Sequence, residues 1–300
     1  MTTVLDRSLS GSPTARPRLG AVSAAALAVL TAAGLLLDQS GTANAATAIG
    51  LGTAKSYAVL AGSGITNTNP TTITGDIGTG PTVTTITGRS EITLTGIEVT
   101  DQVKVGAAKA DLQTAYDNAA GQATTRTISA DLAGETLNPG VYTSASSMGL
   151  SGALTLNGGG NADAIFVFQT VSALTINPSS SVTLINGAQA CNVFWKVGSS
   201  ATLDTGTVFV GNILAHDSVS LTTGARVTGR VLAMGGAVTM NNNVITRPGC
   251  TGPAGGSGGS GSGGDGSGTD GTSQVAQVPV GSVDAGDGSS LLGRTSDYRE

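Results

Sequence analysis

The chain is poor in the residues from which catalytic and nucleic-acid sites are usually built. Charged residues make up only 11% of its 300 positions and there is a single histidine, His216. Residues 46–250 hold nine Lys/Arg against eleven Asp/Glu, a balance of −2, with no basic stripe for a phosphate backbone and no polybasic segment for anionic lipid. Nucleic acid is therefore excluded as a partner. The carboxylates are scattered, with no adjacent pair for acid/base work on a sugar or for holding a metal. His216 stands beside Asp217 at an expected corner, and no phosphate loop, zinc spacing or nucleophile motif accompanies it. A polysaccharide-active enzyme, the usual alternative for a repetitive β protein, thus lacks its chemistry, and the expectation is a protein with neither cofactor nor metal. Aromatics are only 3%, while glycine reaches 46 residues. That composition suits tightly wound, small-residue coils better than a bulky core.

What the chain does have is a period. Val182-Thr183-Leu184, Ala201-Thr202-Leu203, Val219-Ser220-Leu221 and Val238-Thr239-Met240 recur at intervals of 19, 18 and 19 residues. Units this short cannot bury their own apolar side chains and must stack, which predicts a β-solenoid with the central hydroxyls in an outward column. Aligning the coils on Leu203 and Leu221 superposes Asp204-Thr205-Gly206-Thr207 on Thr222-Thr223-Gly224-Ala225, with a shared glycine at the turn. Further on, Cys191-Asn192-Val193-Phe194-Trp195, Gly211-Asn212-Ile213-Leu214-Ala215 and Gly229-Arg230-Val231-Leu232-Ala233 align as strands apolar on both sides, so something must cover them.

The cover is a helix expected over about residues 101–121, where Val105, Ala108, Leu112, Ala115 and Ala119 form one stripe. Thr100 or Asp101 can cap its start. At roughly 30 Å it is long enough to lie along the whole stack. Residues 65–99 alternate Thr-rich strands with glycine turns but do not share the clean later period.

The ends read differently. Residues 1–45 carry Arg7, Arg16 and Arg18 ahead of an uncharged run from Leu19 to Leu37 and a small-residue tripeptide Ala43-Asn44-Ala45, the pattern of a cleaved export signal leaving Ala46 first. An uncleaved membrane anchor is the alternative. The folded domain is expected over residues 46–250, followed by a Gly/Ser-rich linker at 251–273 and a polar tail at 274–300. In an exported chain Cys191 and Cys250 are expected to pair, the alternative being two buried thiols.

Several runs together resemble a known family. Tyr57-Ala58-Val59-Leu60-Ala61-Gly62-Ser63, Thr71-Thr72-Ile73-Thr74-Gly75-Asp76-Ile77-Gly78, Asp111-Leu112-Gln113-Thr114-Ala115-Tyr116, Leu137-Asn138-Pro139-Gly140-Val141-Tyr142 and the run from Ala190 to Leu203 are similar to landmarks of the bacterial and fungal ice-binding proteins of the DUF3494 type, in that family's order. The resemblance implies a mainly β fold, a right-handed, irregular, three-faced solenoid with one long helix alongside. It also implies a non-enzymatic function, adsorption to ice through a flat face bearing a loose Thr-Ala/Gly-x-Thr/Asn pattern. That pattern lands on Thr205-Gly206-Thr207-Val208, Thr223-Gly224-Ala225-Arg226 and Asn241-Asn242-Asn243-Val244, each with its last position replaced.

The expected adsorbing surface is therefore Thr183, Thr202, Ser220 and Thr239 with Thr205, Thr207, Thr223 and Asn242. Its partner is ice or ordered water, met by a secreted monomer. The competing reading is a cell-envelope or adhesive module that binds polysaccharide or protein and uses the C-terminal tail to reach an envelope partner.

Overall fold

A computed structural model describes residues 45–80 and 86–250. The expected export signal (but for Ala45), the linker and the tail lie outside the described residues. Those described form a β-solenoid whose strand pairings are all parallel, flanked by one α-helix.

The pairings build three ladders. One runs through the strands Gly140–Ser144, Phe166–Thr170 and Val193–Val197 to the second halves of Val208–Ala215 and Arg226–Ala233, and on to Tyr57–Ala61 and Asp76–Thr79. A second is a separate sheet of seven strands, in spatial order Met148–Leu150, Leu174–Ile176, Ala201–Leu203, Val219–Leu221, Val238–Asn241, Ile65–Thr68 and Ile86–Thr87. The third joins Thr136–Leu137, Ala153–Asn157, Ser181–Ile185, the first halves of the two long strands, Val244–Thr246, Thr71–Thr74 and Ile92–Thr95.

Stacking order is not sequence order. Residues 57–80 and 86–95, most of them from the stretch without a clean period, form the last coils of the stack and sit on the C-terminal coil, through Val59 opposite Val231, Ile65 opposite Val238 and Thr72 opposite Val244. From that end, Glu98–Val99 leads into the helix, and the chain beyond it enters Arg126–Thr127 at the opposite end, beside Gly140–Ser144. The helix is thus the return path along the stack.

It spans Gln102–Gly121, and the carboxylate of Asp101 accepts from the backbone N–H of Val103 at 2.9 Å, the expected cap. Every residue of the predicted stripe is buried, together with Tyr116. They pack on Val141, Val167, Phe194, Leu214, Leu232 and Leu60 of the first ladder, which explains strands apolar on both sides. The alignment of the Cys191–Trp195 run is off by two residues, because Phe194 and not Asn192 lies opposite Asn212. A slip of two keeps the alternation, so each side chain stays on its expected side.

Inside the coils, Tyr142, Phe168 and Trp195 stand in register and stack, with centroids 5.5 and 3.9 Å apart, and Phe209 lies 5.1 Å beyond. Four of the nine aromatics are thereby gathered in one column, and the Trp195 indole N–H donates to the Val210 carbonyl at 3.0 Å. The disulfide Cys191–Cys250 joins the last described residue to a turn three coils earlier, with Cα atoms 6.1 Å apart.

Candidate functional site

Among the described residues the seven-stranded sheet is a separate sheet that no helix covers, whereas the other two ladders are joined into one sheet by the strands Val208–Ala215 and Arg226–Ala233. Each strand points a side chain outward between inward ones, which are apolar except for the buried Asn67, the period-2 alternation of a half-buried strand. In spatial order that outward column reads Gly149, Thr175, Thr202, Ser220, Thr239, Thr66 and Thr87, each registered on the next. Six of its seven positions carry a hydroxyl. A second column two residues on reads Ser151, Asn177, Asp204, Thr222, Asn241 and Thr68, its ladder continued by the bonds Asn177 N–H to Leu150, Asp204 N–H to Ile176 and Thr222 N–H to Leu203. The two columns form a lattice with a repeat of about 4.8 Å across strands and about 6.7 Å along them.

Side-chain bonds hold parts of the lattice still. Asn69 donates to the Asn241 amide oxygen at 2.9 Å, and the Thr205 and Thr222 hydroxyls meet at 3.3 Å. At the first rung the Asp131 carboxylate takes the Ser151 hydroxyl and the backbone N–H groups of Ala133 and Ser151, which lower its pKa, the hydroxyl most.

The expected residues divide among four places. Thr202, Ser220 and Thr239 stand in the outward column as expected. Thr183 does not. Its strand belongs to the third ladder, with Thr183 opposite Thr155, and the true neighbour of Thr202 is Thr175. The coil between Leu174 and Ala201 takes 27 residues, lengthened by the turns at Asn186, Gly187 and the short helix Ala190–Asn192. The 19-residue interval from Val182 to Ala201 therefore links strands of different ladders. Both uncovered ladders use the same apolar-Thr-apolar pattern, so the interval alone could not separate them.

Thr205, Thr223 and Asn242 occupy the corner between the second and third ladders and are exposed. The turn needs a left-handed residue: Ser179, Gly206, Gly224 and Asn242 all have φ between 50 and 75° there, which accounts for the shared glycine. Thr207 is a correction, since it is fully buried. As the corner bends, its side chain turns inward and its hydroxyl donates to the Asp204 carbonyl at 2.7 Å. Ser180 and Asn243 also point inward at this corner and satisfy the carbonyls of Leu150, Thr222 and Ala225. The Thr-Gly-x-Val/Arg tetrapeptides are thus corners whose third residue is core and whose fourth opens the third ladder.

The third ladder is less even. It carries Thr136, Thr155, Thr183, Thr228, Thr246, Thr74 and Thr95, but also the exposed Ile185, Val208 and Arg226. One registered pair, Ser181 with Val208, joins Ser181–Ile185 to the next strand. His216 lies elsewhere, exposed, with Nδ1 2.7 Å from the Asp217 carboxylate.

Sequence reasoning missed Thr66, Thr87 and Thr175 in the outward column. Leu174-Thr175-Ile176 has the right pattern but lies 27 residues from its neighbour, and Thr66 and Thr87 precede in sequence the coils they follow in space.

Comparison with known proteins gives a consistent picture. The profile of the family described as Ice-binding-like matches residues 59–246. An ice-binding protein of Nostoc sp. (strain HG1) is 44% identical over 213 residues, covering 70% of this chain and 78% of its own. One of Flavobacterium frigoris (strain PS1) is 33% identical, over 67% and 76% of the two chains. The crystal structure of an ice-binding protein from the Antarctic ascomycete Antarctomyces psychrotrophicus superposes with a TM-score of 0.64 at 41% identity, covering 67% of this chain and 98% of that one.

Proposed function

This chain belongs to the Ice-binding-like family, and from that premise we propose that it adsorbs to ice through the uncovered seven-stranded sheet and the corner beside it. The observation that carries the choice of face is the registered column of six hydroxyls at Thr175, Thr202, Ser220, Thr239, Thr66 and Thr87, on a sheet whose neighbouring strands are all paired.

The physics follows from the array. Hydroxyls and methyls repeating on a stiff ladder present water with fixed positions, and water held there can join the lattice of a crystal plane. Because the backbone is already ordered by its ladder, adsorption costs little further conformational entropy. Each contact is weak, and adsorption is strong only when many rungs engage at once. Ice advancing between adsorbed molecules must curve, which lowers its local freezing point and slows recrystallisation.

In this reading Thr205, Thr223 and Asn242 extend the face around the corner, Thr207 supports it from inside, and Thr183 stands apart from it. The protein works as a secreted monomer without catalysis, and the Cys191–Cys250 bridge fits an oxidising compartment. The test is partition into slowly growing ice. Enrichment of the purified protein in the frozen fraction is the expected result, and complete retention in the liquid ends the proposal.

A further inference from the structure

A cavity of about 510 Å³ lies on the side of the stack away from the hydroxylated sheet, between the N-terminal segment, the short helix Ala190–Asn192 and the last described residues. Its walls are mixed: Ile49, Leu51, Phe194, Pro248 and the Cys191–Cys250 bridge supply apolar surface, with the polar Gln189 and Asn192 beside them. Into the same space faces Arg230, of which only 6% is exposed.

Arg230 is held firmly. Its Nε–H and one Nη2–H both donate to the Lys55 carbonyl, at 3.0 and 2.8 Å, and an Nη1–H donates to the Asn212 amide oxygen at 2.8 Å. Asn212, itself fully buried, is fixed by bonds from its amide to the carbonyls of Cys191 and Val193. A guanidinium has five N–H groups. Two of those on Arg230, one on each terminal nitrogen, therefore have no acceptor among the described residues. No carboxylate is paired with it there either, and the cation Arg247 acts against its charge after burial does. A buried cation without an anion is costly, and a planar, pre-oriented fork is the form that recognises a carboxylate.

We propose that this cavity is a binding site for a small organic carboxylate, its head on the two open N–H groups of Arg230 and its apolar body against Ile49, Leu51 and Phe194. The site is independent of ice adsorption. Lys55, also in its wall, adds to the positive field, and Asp163 in the same wall opposes it. Apolar walls around a few fixed polar groups are the usual make-up of a small-molecule pocket.

Hexanoate is a suitable probe, with acetate, inorganic phosphate and hexylamine as comparisons, followed by NMR on the full chain. Hexanoate is expected to shift the signals of Ile49, Leu51 and Phe194 and to bind at least about tenfold more tightly than acetate, because its added methylenes leave water. Hexylamine, of the wrong charge, is expected not to compete. Gly50 lines the cavity with open space around it, so Gly50→Glu places a rival carboxylate there without a clash. That variant is expected to weaken hexanoate by about tenfold or more, whereas Asp163→Asn is expected to tighten it by roughly two- to fivefold.

Arg230→Met is expected to abolish binding, and if it does not fold, the Gly50 and Asp163 variants decide the matter. Hexanoate leaving these signals unmoved at about 10 mM, binding no better than acetate or phosphate, or binding Gly50→Glu as it binds the unaltered protein would each overturn the proposal.

Discussion

Ser220 is the fourth of seven positions in the outward column, and a bulky substitution there tests whether adsorption is a collective property of the sheet. Six intervals of about 4.8 Å make the column about 29 Å long. Tyrosine at position 220 stands several ångströms above its neighbours and leaves three rungs on either side. A stiff sheet lays only one such half on a flat plane, and the half with Thr239, Thr66 and Thr87 keeps three of the six hydroxyl rungs, so three are lost. If each rung contributes about 0.5 kcal/mol, the low end for a net hydrogen-bonded contact, Ser220→Tyr weakens adsorption by about 1.5 kcal/mol, or roughly tenfold. Thr87→Tyr, at the end of the column, removes one rung and costs about twofold by the same reckoning. Partition into slowly growing ice measures both. Thermal unfolding is the control, since an outward side chain on an open sheet changes stability by only about 0.5 kcal/mol. Equal effects at positions 220 and 87 would refute the reasoning, as would loss of adsorption on Thr228→Tyr in the third ladder with Ser220→Tyr unaffected.

Other consequences are structural. Gly229→Ala is expected to abolish folding, seen as insoluble protein, because a Cβ there collides with the Gly211 carbonyl of the adjacent rung, which cannot move aside. Loss of the disulfide in the Cys191→Ser, Cys250→Ser double variant frees a loop of 59 residues; the chain-entropy estimate is about 4 kcal/mol, or a fall in melting temperature of roughly 10 °C by calorimetry. The carboxyl of Asp111 accepts the Thr53 hydroxyl at 2.6 Å and the Thr53 backbone N–H at 2.7 Å, and these bonds, the hydroxyl first, hold its pKa below the ordinary 3.8. This tie is complete above the unfolded value of 3.8 and is lost as pH falls through the lower folded value. Hydrogen exchange in residues 46–56 is therefore expected to accelerate in that acid window ahead of the coils, and Asp111→Asn to remove the pH dependence.

The helix and its packing face were legible because their signals are local. Val105, Ala108, Leu112, Ala115 and Ala119 fall at helical spacing, and the doubly apolar strands ending at Ala215 and Ala233 require a cover. The order of the coils was not, because it depends on which strand edge the N-terminal segment joins. Nothing in Ile65-Thr66-Asn67-Thr68 announces that its partner is Val238–Asn241. The pairing is parallel and remote in sequence, and its period is interrupted by a 20-residue helix inserted between two ends of the stack.

The same argument explains why the candidate face was read only in part. Alternation tells which residues of a strand point outward, and Thr202, Ser220 and Thr239 were assigned by it. Alternation does not say which of two uncovered ladders a strand joins, hence the misplacement of Thr183, nor which way a corner residue turns, hence the burial of Thr207. Yet the two errors support one physical picture. Thr207, Ser180 and Asn243 spend their polar groups on the corner's own carbonyls, so the bend is fixed from within, and the helix fixes the coil order from outside. A lattice of weak contacts acts collectively only if its rungs keep their spacing. In this chain that spacing is set by inward hydrogen bonds and by a helix packed on the first ladder, and under the proposed reading this leaves the outward hydroxyls free for the crystal.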